Sequence, residues 1–595
     1  MSQILDKKLE KMSKEERDLW ALRHTAEHVL HTAMQNLYPK LKKAMGPATP
    51  EGYYHDFDCD QKISEDDFPK IEKEMQRLID ANLPMIQQNI SPEQARIIFK
   101  NNPYKLEWIK EIEKREEKVS VYKMSEEEID LCSGPHVKST GEVKAFKLLS
   151  VAGAYWHGDE KNKMLTRIYG TAFPTKEELD VYLENQKTME ERDHRKLGKD
   201  LDLFVFSELV GKGLPLLTPK GAVIRRELER FIVDEEIKRG YDHVYTPSLA
   251  KTELYKVSGH YPYYKDTMYP AMKVDEEELI LRPMTCPHHF MLYKSKLRSY
   301  KELPVRFAEI SPQFRYEKSG ELTGLTRVRT FCLADAHIMC TKSQAKEEIK
   351  KVLELIEFAN GALGFVKGKD YRYRLSLGDR KDDKKYYKDN KAWDYAENVL
   401  REVLKETKAP FFEAEGEAAF YGPKIDIQMK RISGQEETAF TVQYDFVMPK
   451  RFKLEYINEK GQIEEPIVVH RSSIGAFERT MSFIIEHTGG AFPVWLAPVQ
   501  VQIIPISEKH LSYAQKVNET LLLQSIRVKV DDRNETMQEK IRLAQTQKIP
   551  YMLIVGDKEE KDQKVALRTR DKGNVGQMKL DEFLKKINED IENKV

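Results

Sequence analysis

The 595-residue sequence predicts an α+β protein of about three or four domains whose largest part is built on a mostly antiparallel sheet. Three observations predict it. Val305 to Phe314 and Arg327 to Cys340 read as two long strands joined by a loop holding Gly320 and Gly324, a long hairpin. Hairpins followed by further strands favour antiparallel pairing over the parallel sheet that βαβ spacing gives. Ahead of the hairpin, up to residue 190, short strands such as Gly52 to Asp58 mix with helices, and beyond Pro498 strands and helices alternate as a separate α/β region.

In chain order, residues 1–18 are polar and charged and predict a short extended or helical lead-in. Leu19 to Leu37 has helical periodicity, with His24, His28 and His31 at i, i+4 and i+7 and therefore on one face. The mixed region ends in a charged helix running into Arg192-Asp-His-Arg-Lys-Leu-Gly. Ala222 to Gly240 is an amphipathic helix with Ile224, Leu228, Phe231 and Ile232 on its stripe and Gly240 as its stop. Tyr241 to Pro247 follows as a strand. Past the hairpin, Val499 to Ile506, Ile526 to Asp531, Tyr551 to Val555 and Val565 to Arg570 are strands, and 507–523, 535–547 and 580–592 are helices. There are no internal repeats and no low-complexity linker. The expected domains are 19–192, 193–496 and 497–595, after the 1–18 lead-in.

Hydrophobic residues make up 40% and charged residues 33%, the balance of a soluble globular protein. No stretch approaches the ~18 apolar residues of a membrane span, and no signal-peptide core opens the chain. Five cysteines, at 59, 132, 286, 332 and 340, are sparse and odd in number, which favours free thiols and a reducing, cytoplasmic setting. Formal net charge is zero, so nucleic-acid binding has no global electrostatic support. A local basic set exists in Arg527, Lys529, Arg533, Lys540, Arg542, Lys548, Arg568 and Arg570, which composition alone reads better as a solvated charged surface than as a nucleic-acid contact.

Three distant residues carry the chemistry. Cys286 lies in Leu-Arg-Pro-Met-Thr-Cys-Pro-His-His, His337 ends Arg-Val-Arg-Thr-Phe-Cys-Leu-Ala-Asp-Ala-His, and His470 opens His-Arg-Ser-Ser-Ile-Gly-Ala-Phe-Glu-Arg. One thiolate and two imidazoles suit zinc and leave a coordination position open. Around them, Arg306-Phe-Ala-Glu-Ile-Ser-Pro-Gln-Phe-Arg-Tyr-Glu and Gly475-Ala-Phe-Glu-Arg resemble motifs 2 and 3 of class II aminoacyl-tRNA synthetases. With the Cys, His and His in those settings, the chain resembles the threonyl-tRNA synthetase family from about residue 20 to its end.

The resemblance implies a class II antiparallel catalytic core, an N-terminal α+β editing domain and a C-terminal α/β anticodon-binding domain. It implies ATP with Mg2+, L-threonine and tRNA(Thr) as partners, one zinc per subunit on Cys286, His337 and His470, and a homodimer, since Tyr241 to Pro247 resembles the dimer-forming motif 1. Activation joins a carboxylate to the α-phosphate and needs cations on the developing phosphoryl charge. Arg315 and Glu317, two apart on a strand edge, are expected to point to one face. The family uses the matching arginine to bridge carboxylate and α-phosphate, the glutamate to accept from the adenine amino group, and residues matching Arg327 and Arg479 toward the nucleotide. Arg329, Leu333, Asp335 and His337 share a strand face. In the family the matching aspartate binds the substrate hydroxyl, and segments matching Tyr421, Lys424, Gln443 and Asp445 line the pocket.

A metal answers a selection problem. Threonine and valine are near isosteres that an apolar pocket separates poorly, whereas an open metal position takes both amino group and β-hydroxyl. Serine passes the same test. Departures from the family pattern are Leu333 for a glutamine, His288 for a glycine and Ala476 for a serine; Cys332 falls on the strand face opposite His337 and reads as packing.

A second constellation, His24-Thr-Ala-Glu-His28 with Asp130-Leu-Cys132-Ser-Gly-Pro-His136, has spacing that suggests zinc. It resembles the editing domain shared by threonyl- and alanyl-tRNA synthetases, which in the threonyl branch binds the misacylated 3′ end and positions water with no obligatory metal. Lys105, Asp130 and Tyr54 match further pocket positions, while His31 has no counterpart. Such a domain answers the serine problem as a second sieve. Only about 20 residues precede it, so a leading ubiquitin-like domain is expected to be absent. Glu559 and Arg568, with Asn534, match anticodon-reading positions. Two alternative readings are another class IIa synthetase of the seryl or prolyl type, against which the Cys286/His337/His470 set and the editing motifs argue, and a non-catalytic RNA-binding paralogue, which has no need of Arg315, Glu317 and Arg479.

Overall fold

The computed structural model describes Leu9 and residues 12–125, 128–382 and 384–595. It divides into two compact units at Gln186/Lys187. Most of the 1–18 lead-in lies outside the described residues, but helix α1 (Lys14–Leu37) starts earlier than the periodicity predicts, because Ser13 caps it. The Ser13 hydroxyl accepts from Glu16 N–H (3.2 Å) and the Glu16 carboxylate accepts from Ser13 N–H (2.7 Å).

In the first unit, α1 is buried on every side from Trp20 to Met34, which encloses its histidines. Leu22, Ala26, Val29 and Leu30 pack with Ile71 and Met75 of the helix Phe68–Asp80 and with Phe57, Leu148 and Ile168. The last three belong to a four-stranded antiparallel sheet ordered Lys42–Met45, Tyr53–Asp58, Met164–Phe173, Ala145–Tyr155. A smaller antiparallel sheet, Ile86–Asn89, Ser120–Lys123 and Ile129–Leu131, carries Asp130.

The second unit centres on eight strands: β1 (Asp242–His243), β2 (Val305–Phe314), β3 (Thr330–Cys340), β4 (Tyr371–Leu377), β5 (Phe411–Glu415), β6 (Lys424–Lys430), β7 (Glu436–Asp445) and β8 (Ile467–Ala476). They are ordered β1-β2-β3-β8-β7-β6-β4-β5, and only the two edge pairs are parallel. The interior is antiparallel, as the hairpin predicts. The strand expected over 241–247 is two residues long, and the one expected from Arg327 starts at Thr330, because Arg327 and its neighbours turn within the loop. The helix expected over 222–240 spans Pro219–Lys238, capped by Thr218, and Gly240 at φ +78° turns the chain beyond it.

Period-two alternation divides this sheet. Even-numbered β3 residues, Ala334, Ala336, Ile338 and Cys340, join the apolar core with Ile224, Leu228, Phe231, Ile232, Ile349 and Trp393 from the helices. Odd-numbered ones face the other way. β8 passes through Gly475 into helix α2 (Phe477–Thr488). A Cβ at Gly475 would lie 2.5 Å from Ala439 O at φ +69°, so only glycine makes that turn.

Beyond it, a five-stranded sheet runs Val528–Val530, Val501–Pro505, Tyr551–Val555, Lys564–Thr569, Gly573–Lys579, its first two pairings parallel and its last two antiparallel. Gly573–Lys579, two of whose residues are glycine, and the helix Asp557–Asp562 carry no apolar alternation and were not legible in the sequence. Among the described residues no helix is long and apolar enough to cross a membrane.

Candidate functional site

Register builds the central site. His337 on β3 stands opposite His470 on β8, and His470 stands opposite Gln443 on β7. Directly paired side chains project to the same face, so three residues far apart in sequence form one polar row. Cys286 reaches that row from the start of the helix Cys286–Lys294. One ligand atom each from Cys286, His337 and His470 lies within 4.8 Å of the others, all three residues buried. Cys332 and Cys340 are not part of this set; both pack with the core on the opposite face.

The donor set fits a zinc-class ion. His470 Nε2 lies 2.7 Å from Asp445 and His337 Nδ1 lies 2.8 Å from His289 Nδ1, so each imidazole has one nitrogen held and one available. Burial raises the Cys286 thiol well above its ordinary value and lowers His337 well below its own. A cation reverses the first effect, because a coordinating thiol is deprotonated. His289 was missed in the sequence, although Cys-x2-His at the start of a helix places it on the face of Cys286.

A cavity of about 520 Å³ opens beside this row. Arg315, Glu317, Arg327, Arg479, Asp335, Tyr421 and Gln443 all line it, with Cys286, His337 and His470. Asp335, two residues before His337, is buried, which raises its carboxyl; Gln313 donates to it at 3.4 Å. The Tyr421 hydroxyl donates to Gln443 Oε1, and its ring stacks on His470 with centroids 5.1 Å apart. Lys424, opposite Gln443, is not in the lining: its amine lies 2.9 Å from Asp426. Leu333 and Ala476 are paired across β3 and β8 and give one wall an apolar surface. His288 is off the cavity lining.

At the other end sit the cations. β2 ends at Phe314, so Arg315 and Glu317 do not share a strand edge as the parity argument expected; Glu317 N–H donates instead to Arg315 O at 2.9 Å in a tight turn. Glu317 thereby turns to Arg327, which donates to it at 2.9 Å and to Glu321 at 3.3 Å. Arg479, near the start of α2, donates to Thr326 O (3.1 Å) and Thr438 O (3.0 Å). Burial, then the neighbouring Arg479 charge, lower Arg315 from its ordinary value. An anion placed between these guanidiniums relieves both.

The first unit holds a second cavity, about 470 Å³, lined by His24, His28, Tyr54, Lys105, Asp130 and Cys132. Cys132 Sγ lies 3.4 Å from His24 Nε2 and 3.2 Å from His136 Nε2. His24, His28, Cys132 and His136 could together hold an ion. Burial lowers His24 to about 4 and raises Cys132. Burial alone would raise Asp130, but Lys105, 2.8 Å away, with Lys43 holds it below the usual carboxylate range.

The residues matched to anticodon reading are placed differently from one another. Asn534 is exposed. Glu559 is buried, accepting from Gly556 N–H at 3.1 Å and from the Gln577 amide. Arg568 is half-buried and its Nε has no hydrogen-bond partner. The basic set is largely used internally: Arg527 donates to Trp495 O (2.7 Å), Lys540 to Pro505 O (3.4 Å), Arg533 to Asp531 (2.7 Å), Arg542 to Glu539 (2.6 Å) and Arg570 to Phe492 O (3.0 Å). It is not a continuous free basic surface.

Comparison with known proteins matches three segments of the chain to families. Residues 267–488 match the family described as tRNA synthetase class II core domain (G, H, P, S and T), 500–590 an anticodon binding domain, and 119–169 the threonyl and alanyl tRNA synthetase second additional domain. Threonine–tRNA ligase of Geobacillus kaustophilus is 50% identical over 96% of this chain and 88% of its own length. That of Staphylococcus carnosus is 49% identical over the same shares. A crystal structure titled as the RNA binding domain of threonyl-tRNA synthetase from Cryptosporidium parvum superposes with a TM-score of 0.63 at 38% identity, covering 67% of this chain and 98% of that one.

Proposed function

Because the chain belongs to the threonine–tRNA ligase family, we propose that the 520 Å³ cavity is its aminoacylation site and the 470 Å³ cavity its editing site. The reaction joins threonine to tRNA(Thr) with ATP and Mg2+, and mischarged Ser-tRNA is hydrolysed. Residues 193–496 are the aminoacylation domain, 19–192 the editing domain and 497–595 the anticodon-binding domain. The protein works in the cytoplasm as a homodimer.

Cys286, His337 and His470 would hold a zinc ion, which when bound would supply a Lewis acid selective for a substrate carrying both an amino group and a β-hydroxyl. Asp335 accepts from that hydroxyl. Tyr421 and Gln443 close the amino-acid end, and the apolar wall of Leu333 and Ala476 excludes water. Arg315 bridges the carboxylate and the α-phosphate through its planar fork. Glu317 accepts from the adenine amino group while Arg327 stays paired with it. Arg479, held by two carbonyls, faces the nucleotide without having to reorganise. In the editing cavity, His24, His28, Cys132 and His136 position water at the ester, Lys105 and Asp130 bind the 3′ end, and Tyr54 closes a side. Arg568 contacts the anticodon, with Asn534 beside the path; Glu559 joins it on release of Gln577.

The observation that carries this reading is the His337–His470–Gln443 row with Cys286 at its end, set against the Arg315–Arg479 pair. Amino-acid-dependent ATP–pyrophosphate exchange over all twenty amino acids tests it. Threonine supports fast exchange and serine slower exchange; exchange with valine equal to threonine would rule out the hydroxyl-selecting site.

A further inference from the structure

α1 carries a third group of ligand-type side chains, which shares His28 with the editing cavity and adds Glu27 and His31, two residues that neither cavity's proposed chemistry uses. Glu27, His28 and His31 each bring one donor atom within 4.8 Å of the others, and all three are buried. His31 is 1% exposed, its Nδ1 lies 3.4 Å from the Thr32 hydroxyl, and its Nε2 has no hydrogen-bond partner. A buried imidazole nitrogen without a partner is costly. Here it points among oxygens: Asp130 Oδ2 lies 3.6 Å from it.

Glu27 poses the complementary problem. Its carboxylate is buried, and its ion-pair partners among the described residues are imidazoles: His55 Nδ1 in short contact and His28 Nε2 at 3.7 Å. The nearby Lys105 is committed to Asp130. His55, also buried, has an unpartnered Nε2, and its ring lies 5.2 Å from that of His31. An anionic oxygen, two clustered imidazoles and an unpartnered nitrogen are what a divalent cation satisfies at once.

We propose that Glu27, His28 and His31 form a second metal site, for a zinc-class divalent ion, with Asp130 in reach as a fourth donor and His55 orienting Glu27. Two imidazoles and a carboxylate, with no sulfur, suit zinc and its borderline neighbours. The helix supplies the spacing: positions 27, 28 and 31 are i, i+1 and i+4, and the last two lie one above the other. Glu27 and His28 also line the 470 Å³ cavity, so the ion lies at its wall and fixes the His28 ring. His28 is shared with the Cys132 group, so one ion at a time uses its nitrogen.

Sulfur separates the sites, because each of the other two groups contains a cysteine and this one does not. The full chain carrying Cys132→Ser and Cys286→Ser is loaded with cobalt(II), dialysed, and read by metal analysis and absorption. It should retain about one cobalt with no sulfur-to-metal charge-transfer band, as expected for imidazole and carboxylate donors. Adding His31→Ala or, with less change of shape, Glu27→Gln should weaken retention by at least about tenfold. A folded double-serine chain, by circular dichroism, that holds no cobalt overturns the proposal, as does cobalt retained undiminished in both the His31→Ala and Glu27→Gln variants. If the double-serine chain does not fold, the parent chain decides: His31→Ala must remove one cobalt while leaving the sulfur band of the Cys286 centre, and loss of none overturns the site.

Discussion

His289 Nδ1 lies 2.8 Å from His337 Nδ1, while its Nε2 lies 3.2 Å from the Glu309 carboxylate, itself 2.9 Å from Arg282. The chain Arg282–Glu309–His289–His337 is buried and sets the orientation of one proposed zinc ligand from behind. Partners of this kind are worth roughly 10–100-fold in metal affinity. His289→Ala should therefore lose zinc to a competing chelator at about ten- to a hundredfold lower chelator concentration, and threonine KM should rise with it. Parent-like zinc affinity would show that His289 only fills space.

The proposed zinc site itself predicts composition. Purified protein should carry about one zinc on Cys286, His337 and His470, beyond any held by α1, and Cys286→Ser should lose that ion together with threonine activation. Full activation by a zinc-free preparation would sink this assignment.

Arg479 is fixed by Thr326 O and Thr438 O, two acceptors that one planar guanidinium meets together. Lysine offers a point charge without that fork. Arg479→Lys should lower kcat for pyrophosphate exchange about 10²–10³-fold, the usual cost of removing a preorganised donor. An unchanged kcat would place the arginine outside the reaction.

Arg568, half-buried, and Glu559, buried and already occupied by Gly556 and Gln577, should behave differently in tRNA binding. Hydrogen bonds to base edges carry specificity, so Arg568→Ala should raise KM for tRNA far more than KM for ATP. Equal effects on both would remove Arg568 from the contact list.

Serine differs from threonine by a methyl group worth about 1–3 kcal/mol, too little for accurate charging. Replacing His24 and His28 with alanine should let Ser-tRNA accumulate, with pyrophosphate exchange followed alongside. A double variant that still clears Ser-tRNA at the parent rate would make this histidine face structural.

The sequence by itself determined the α+β class, the antiparallel hairpin, the helix stripes and the motifs that carry the chemistry, because those depend on local periodicity and nearby residues. Val305–Phe314 and Tyr551–Val555 fall where the pattern puts them. Only the tertiary structure decided what stands beside what. The pairing of His337 with His470 and of His470 with Gln443 depends on strand order, which no local pattern encodes. Glu317 left the strand face because β2 stops three residues earlier, at Phe314. Of the basic residues of 527–570, Lys529, Arg533, Arg542 and Lys548 stay on the surface, while Arg527 and Arg570 fold onto backbone carbonyls that compete with solvent for their guanidiniums. His31 was one of three histidines on a helix face until burial of α1 on all sides took away its water and left Glu27, His28 and Asp130 around it.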